Sequence, residues 1–275
     1  DQEFGNTFFG TGDTLINAET LLSLRSKAPL RVLEGGLMLV YDETRPSHEY
    51  IMTVDVSKGR GQDYSTFTVI DITTRPFKQV AVYRNNTISP ILFPNIIYKY
   101  ATVYNNAYVV IEANDQGAVV CNGLYYDIEY EHVHVSSTVK SSHIGVEMNR
   151  RTKRLGCSGI KDLMESRKLE IVDEQTIMEV STFILKGQSY EAAEGNHDDL
   201  MMNLVMMGYF IHTEFFHNMT DINLKELMYQ ERMDAIENDV VPFGWIDDGS
   251  DHIEMIESQE DFERKQWSVW APADP

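Results

Sequence analysis

Three places in this chain put carboxylates where a folded protein does not place them without a reason. Asp55 ends the apolar, β-branched run Tyr50-Ile51-Met52-Thr53-Val54-Asp55, and Glu112 closes Ala107-Tyr108-Val109-Val110-Ile111-Glu112. Asp198-Asp199 open a segment, residues 200–211, that is apolar on nearly every side. A charge in such surroundings needs a cation or a neighbouring base, because desolvating it is expensive. Carboxylates gathered within a few Å also raise one another's pKa unless a cation neutralises them. A small set of hard oxygen ligands on rigid elements leaves positions open for water and a phosphate, which suits Mg²⁺ or Mn²⁺. Two such ions about 4 Å apart can activate water and stabilise the leaving oxygen in phosphodiester hydrolysis. Asp63, across a Gly-rich turn from Asp55, is a further candidate ligand. Spacing alone leaves a second reading open, that of unrelated solvated acids in a chain rich in them.

The elements that must position these acids follow from patterning. Residues 50–56 and 65–72 flank the turn Ser57-Lys58-Gly59-Arg60-Gly61-Gln62-Asp63 and read as a hairpin, with residues 79–84 as a third antiparallel strand. A helix is expected from Ser89 or Pro94 to about Asn105, followed by a strand at 107–113 that is apolar enough to be buried on both faces. Strand, strand, strand, helix, strand is the opening order of a ribonuclease-H-like sheet, which would make Asp55 and Glu112 neighbours. A helix from Asp115 to about Ile128, a fifth strand at 132–137, a loop at 138–153, helices from Ser158 and Asp173, and the buried helix from Leu200 complete the expectation. His132 and His134 have the alternation of a two-His metal site but no evident third ligand, so an ordinary strand face is expected there. Cys121 and Cys157 are expected to be buried thiols.

Among the 275 residues, 43% are hydrophobic and 11% aromatic, which supports a substantial core. No apolar run is long enough to cross a bilayer, and Asp1-Gln2-Glu3-Phe4 lacks the features of a signal peptide, so a cytosolic protein is expected. The formal net charge of -20 argues against a phosphate-rich partner taken as a whole. The charge is uneven, however: acidity concentrates beyond Asp234, while Asn149-Arg150-Arg151-Thr152-Lys153-Arg154 is a compact basic run. Residues 1–48 read as a lead-in, 49–213 as one domain, and 214–275 as an acidic extension with isolated aromatics. The absence of an initiator Met suggests a piece of a longer protein.

The phrases Thr53-Val54-Asp55-Val56-Ser57-Lys58-Gly59-Arg60-Gly61-Gln62-Asp63-Tyr64, Val110-Ile111-Glu112, Lys153-Arg154-Leu155-Gly156-Cys157-Ser158 and Glu194-Gly195-Asn196-His197-Asp198-Asp199-Leu200 occur in that order. Together they resemble the nuclease domain of the large terminase subunit of T-even-like tailed phages. The resemblance implies an α/β fold, a ribonuclease-H/resolvase-like mixed sheet of three antiparallel strands followed by parallel strands, flanked by helices. It implies metal-dependent cutting of concatemeric double-stranded viral DNA at the start and end of head filling. By motif position the catalytic acids would be Asp55, Glu112 and Asp199, with Asp63 accessory and Asp198 a competing ligand. Mg²⁺, with Mn²⁺ substituting, would be the cofactor. Lys58, Arg60, Arg150, Arg151, Lys153 and Arg154 would meet DNA phosphates.

In that family an ATPase domain precedes the nuclease, and the portal and small terminase subunit are partners in the host cytoplasm. The chain holds no Gly-x-x-x-x-Gly-Lys-Ser/Thr loop, so ATP hydrolysis is not expected of it. The competing readings are another ribonuclease-H-like activity, on an RNA strand or a junction, and a non-catalytic packaging or portal-docking module.

Overall fold

Period-two alternation of apolar residues decides the sheet, and the sheet decides where the acids stand. A computed structural model describes residues 14–137 and 142–220. Residues 1–13, 138–141 and 221–275, and with them most of the expected acidic extension, lie outside the described residues. The chain runs α1 (Ala18–Ser23), β1 (Arg31–Leu33), β2 (Met38–Val40), β3 (Tyr50–Asp55), β4 (Ser65–Asp71) and β5 (Phe77–Asn85). It continues with α2 (Phe93–Val103), β6 (Tyr108–Ile111), α3 (Gly117–Asn122), β7 (Val135–Ser137), β8 (Ser142–Ile144) and α4 (Arg150–Glu165). The last elements are β9 (Leu169–Glu170), α5 (Glu174–Ser181), β10 (Phe183–Lys186), β11 (Ser189–Ala192) and α6 (Asp199–Phe210).

The main sheet has the order β1-β2-β5-β4-β3-β6, with β9 paired to β5. The pairs β3/β4 and β4/β5 are antiparallel, as the short turns require, and β6 lies parallel to β3 after the α2 crossover. The expected lead-in is part of this sheet, since β2 pairs with β5 through Met38, Leu39 and Val40. The expected fifth strand is reduced. Val133 pairs with Val109 in a single parallel bridge, after which the chain leaves β6 and forms a separate hairpin of β7 and β8.

Two apolar layers cover the sheet. Met52, Val54, Phe67, Val109 and Ile111 face α2 and α3, represented by Phe93, Ile97, Val120 and Cys121. Ile51, Ile70 and Val110 face the other layer, to which α4, α5 and α6 contribute Ile160, Val180, Met201 and Val205. Asp55, two residues beyond Thr53 and four beyond Ile51, therefore points with them toward the α6 side. Helix α6 is buried almost all round, as its composition requires. At the other end of that layer Phe216, placed in the acidic extension by sequence, is buried against Phe210 and Phe77.

Small residues let α4 and α6 touch through their backbones. A Cβ on Gly208 would strike the Gly156 carbonyl oxygen, and one on Gly156 would strike the Val205 carbonyl oxygen. This crossing holds the start of α4 and the start of α6 on one common scaffold. Gly208→Ala is therefore expected to cost about 1–3 kcal/mol through overpacking, lowering the Tm by roughly 2–12 °C. Calorimetry showing an unchanged Tm would contradict the close crossing.

The two histidines separate: His132 is exposed, whereas His134 is buried beside Tyr108, Phe210 and Phe215. Burial, and secondarily the charge of His143, lowers the His134 pKa to about 4. Tyr108 is the other titratable side chain against it, its hydroxyl 3.3 Å from His134 Nδ1. Because the unfolded chain binds this proton near pH 6.5 and the folded chain near 4, stability from neutral His134 is complete above 6.5 and lost as pH falls toward 4. The contribution is on the order of 3 kcal/mol. His134→Gln is expected to flatten the Tm-versus-pH curve between pH 6.5 and 4; curves parallel to those of the parent chain would contradict the assignment.

Candidate metal centre

Register places the first two acids side by side. Val54 on β3 is paired with Ile111 on β6, and the Glu112 N–H donates to the Val54 carbonyl at 3.0 Å, so Glu112 continues the parallel ladder beside Asp55. On the other side Asp55 is in register with Thr66 of β4. Both carboxylates are half-buried and hydrogen-bond each other. Burial raises the Asp55 pKa well above the usual carboxylate range, and the charges of Glu112 and Asp199 add to the rise. Burial also raises Glu112, opposed by the hydrogen bond from Asp55 and by the Lys153 charge. Burial and the close approach of the two carboxyls thus disfavour ionising both at once.

Asp199 comes from the opposite layer, as the first residue of α6. Its backbone carbonyl accepts from the Thr66 hydroxyl at 3.3 Å, and Asn203 donates to that same hydroxyl oxygen at 2.9 Å. Burial lifts its carboxyl to about 6, against the pull of a hydrogen bond from the Tyr64 N–H and the nearby His197. Asp199 Oδ2 is buried with no hydrogen-bond donor, its nearest cationic neighbour being His197 Nδ1 at 3.7 Å.

Asp198 turns away: its Oδ2 accepts from the Ala192 N–H of β11 at 3.3 Å, and it does not cap α6. Its charge still raises Glu112 and Asp199. Asp63 is exposed on the β3–β4 turn, close enough for its charge to raise Asp199. Asp55, Glu112 and Asp199 thus lie nearest one another, with Asp198 and Asp63 at their border.

Among the described residues no three ligating side chains converge on one point as they stand. The donor set nevertheless fits a hard divalent cation. Two neighbouring carboxyls here are raised by burial, a cost that a cation would relieve, and a third offers a buried oxygen without a donor.

The basic run is not on a loop. Arg150, Arg151, Lys153 and Arg154 occupy the first turns of α4, which starts at Arg150 because Asn149 accepts from the N–H groups of Arg151 and Thr152. The expected loop at 138–153 thus ends earlier, and the helix expected from Ser158 begins eight residues before it. Arg150, Lys153, Arg154 and Lys161 line a cleft of about 500 Å³. Arg150 donates to Gln188 Oε1 at 2.8 Å. Lys58 and Arg60 are exposed on the same turn as Asp63.

The family model for the terminase RNaseH-like domain matches residues 52–207, more than half of the chain. The chain belongs to this family. It is 27% identical over 217 residues to the large terminase subunits of Thermus virus P23-45 and Thermus phage G20c, covering 74% of this chain. It spans 39% of the length of each of those relatives. The large terminase nuclease of phage G20c solved with bound magnesium has a TM-score of 0.57 at 21% identity, over 73% of this chain and 98% of the other. The nuclease domain of Thermus phage P74-26 gives 0.54 at 24% identity, over 70% and 93%. These structures share the ribonuclease-H-like fold. The matches establish the terminase family; the narrower T-even-like resemblance is not part of them.

Around the terminase site stand residues that sequence reasoning passed over. Thr66, Asn203, Tyr64, Arg84 and Glu179 all touch Asp199 or the groups that hold it. Only Asn203 had a signal, as the lone amide in Leu200-Met201-Met202-Asn203-Leu204-Val205. Gly117 matters differently: a Cβ there would collide with the Glu112 carbonyl oxygen. Gly117→Ala is expected to displace Glu112 and weaken Mn²⁺ binding roughly 10–100-fold with circular dichroism retained. Unaltered Mn²⁺ affinity in calorimetry would show that Glu112 tolerates the shift.

Proposed function

We propose that this chain is the nuclease part of a DNA-packaging subunit, a divalent-metal-dependent endodeoxyribonuclease. Its substrate is concatemeric double-stranded viral DNA, cut at the ends of head filling. The observation that carries this reading is the pairing of Asp55 and Glu112 at the ends of adjacent parallel strands, with Asp199 beside them on α6. Family membership and the metals in relatives' structures support it: magnesium, cobalt and zinc are each bound in a large terminase nuclease of phage G20c.

On this reading Asp55, Glu112 and Asp199 hold the cation, Mg²⁺ or Mn²⁺, with Asp63 or Asp198 reaching it when a second ion binds. The bound cation would lower the pKa of water and neutralise charge on the phosphate. The chain's own residues do the rest. Asp55 and Glu112, side by side on the sheet, and Asp199 on α6 would hold the cation through their carboxylate oxygens, and His197 Nδ1 flanks Asp199 Oδ2 at 3.7 Å. Lys58 and Arg60 form the lip on one side, and Arg150, Arg151, Lys153 and Arg154 form a basic surface beside Glu112, to which the Lys153 charge already reaches. These contacts fix the phosphate backbone without reading bases. The whole subunit would add an ATPase domain ahead of this region and act with a portal and a small subunit in the host cytoplasm.

Incubation of the chain with duplex DNA, an RNA–DNA hybrid and a four-way junction tests the assignment. Duplex cleavage is expected with Mg²⁺ or Mn²⁺, to be abolished by EDTA and by Asp55→Asn. Preference for hybrid or junction, or equal residual activity of Asp55→Asn, would refute it. Lys153→Ala with Arg154→Ala is expected to weaken DNA binding and reduce the slope of log K against log salt by roughly 1 per lost phosphate contact.

A further inference from the structure

Helix α6 begins with Asp199, so any rotation or fraying of its first turn moves that carboxyl. The first N–H groups of a helix have no partner within it, and a Ser, Asp or Asn just before the helix normally supplies one. Asp198 occupies that place but spends its carboxylate on Ala192 of β11. The cap comes instead from another helix. Glu179 of α5, only 2% exposed, accepts through Oε2 from the Leu200 N–H at 2.7 Å and the Met201 N–H at 3.1 Å.

Glu179 is held in turn. Its Oε1 lies 3.9 Å from Arg84 Nη2, and the Arg84 guanidinium sits 3.4 Å from the centroid of the Tyr64 ring. The Tyr64 N–H lies beside the Asp199 carboxyl and lowers its pKa, which closes the circuit. Asp199 is therefore held from its backbone side by Glu179 and flanked on its carboxyl side by Tyr64. Arg84 on β5 joins the two sides. The arrangement has a cost that a plain Ser cap on α6 would have avoided, since burial, with the Asp199 charge adding to it, raises the Glu179 carboxyl to about 7.

We propose that Glu179 is a positioning residue, holding the first turn of α6 so that the Asp199 carboxyl meets a divalent cation already aligned. The inference rests on the reading of Asp55, Glu112 and Asp199 as a metal centre. It assigns Glu179 no contact with the substrate or the cation. What Glu179 supplies is reach from a rigid helix to two N–H groups, so an acceptor of the same length should replace it and a shorter one should not.

The test is Mn²⁺ affinity of the full 275-residue chain, read from the free Mn²⁺ signal in electron paramagnetic resonance, alongside KM for duplex DNA. Glu179→Ala and Glu179→Asp are expected to weaken Mn²⁺ binding about tenfold or more with KM for DNA unchanged. Glu179→Gln, which keeps an oxygen at the same reach, is expected to stay within about threefold of the parent chain, below the tenfold loss typical of a broken supporting contact. If Glu179→Ala does not fold, the Asp and Gln variants decide between them. Parent-like affinity in Glu179→Asp, or a loss in Glu179→Gln equal to that in Glu179→Asp, would overturn the positioning role. Asp199→Asn separates the two levels. Lost Mn²⁺ binding in Asp199→Asn with parent-like binding in Glu179→Asp would defeat this inference alone, whereas retained binding in Asp199→Asn would defeat the metal-centre reading beneath it.

Discussion

Burial of three neighbouring carboxyls, Asp55, Glu112 and Asp199, is the constraint on which the rest of the fold turns. Each is pushed toward its protonated form by burial, and Asp55 is pushed further by the other two. Such a cluster persists only if rigid elements hold it. Here the elements are a central antiparallel pair, the parallel strand β6 and a helix buried on all sides. The contacts that fix them are backbone contacts: the β3–β6 ladder, the Gly117 approach to Glu112, and the Gly156–Gly208 crossing of α4 and α6. Side-chain packing alone, with its freedom to hop rotamers, would let the carboxylates drift apart.

Much of this was legible in the sequence, for a physical reason. A carboxylate inside an apolar run contradicts its surroundings, so Asp55, Glu112 and the Asp198-Asp199 pair announced themselves by local inconsistency. The order of strands and helices was readable from apolar periodicity, and the hairpin of β3 and β4 from its glycines. The supporting residues were not readable. Glu179 and Arg84 sit in ordinary amphipathic segments, and what singles them out is a meeting across 95 residues of chain that no local pattern encodes. The different settings of Asp198 and Asp199 are likewise tertiary: Asp198 accepts from the Ala192 N–H, and Asp199 turns toward Thr66 and Tyr64.

Three expectations failed instructively. The basic run, expected on a loop, lies in the first turns of α4, where Asn149 capping and the tertiary crossing at Gly156 set the helix start. The resulting concentration of positive charge at an N-terminus favours an anion there, in a chain whose net charge is -20. The fifth strand was expected from the apolar alternation at Val133 and Val135, yet only Val133 pairs with β6 before the chain turns into its own hairpin. Residues 31–40 took the opposite course. They were read as a lead-in and extend the sheet at its other side through β2 and β5.

The central claim is that these acids are arranged for a cation rather than merely tolerated. Anomalous diffraction from crystals soaked in Mn²⁺ tests it most directly. The account predicts an anomalous peak bounded by the carboxylates of Asp55, Glu112 and Asp199, with the Asp55–Glu112 hydrogen bond broken. Ordered carboxylates with that hydrogen bond intact and no anomalous peak between them, at Mn²⁺ concentrations that support binding in solution, would contradict it.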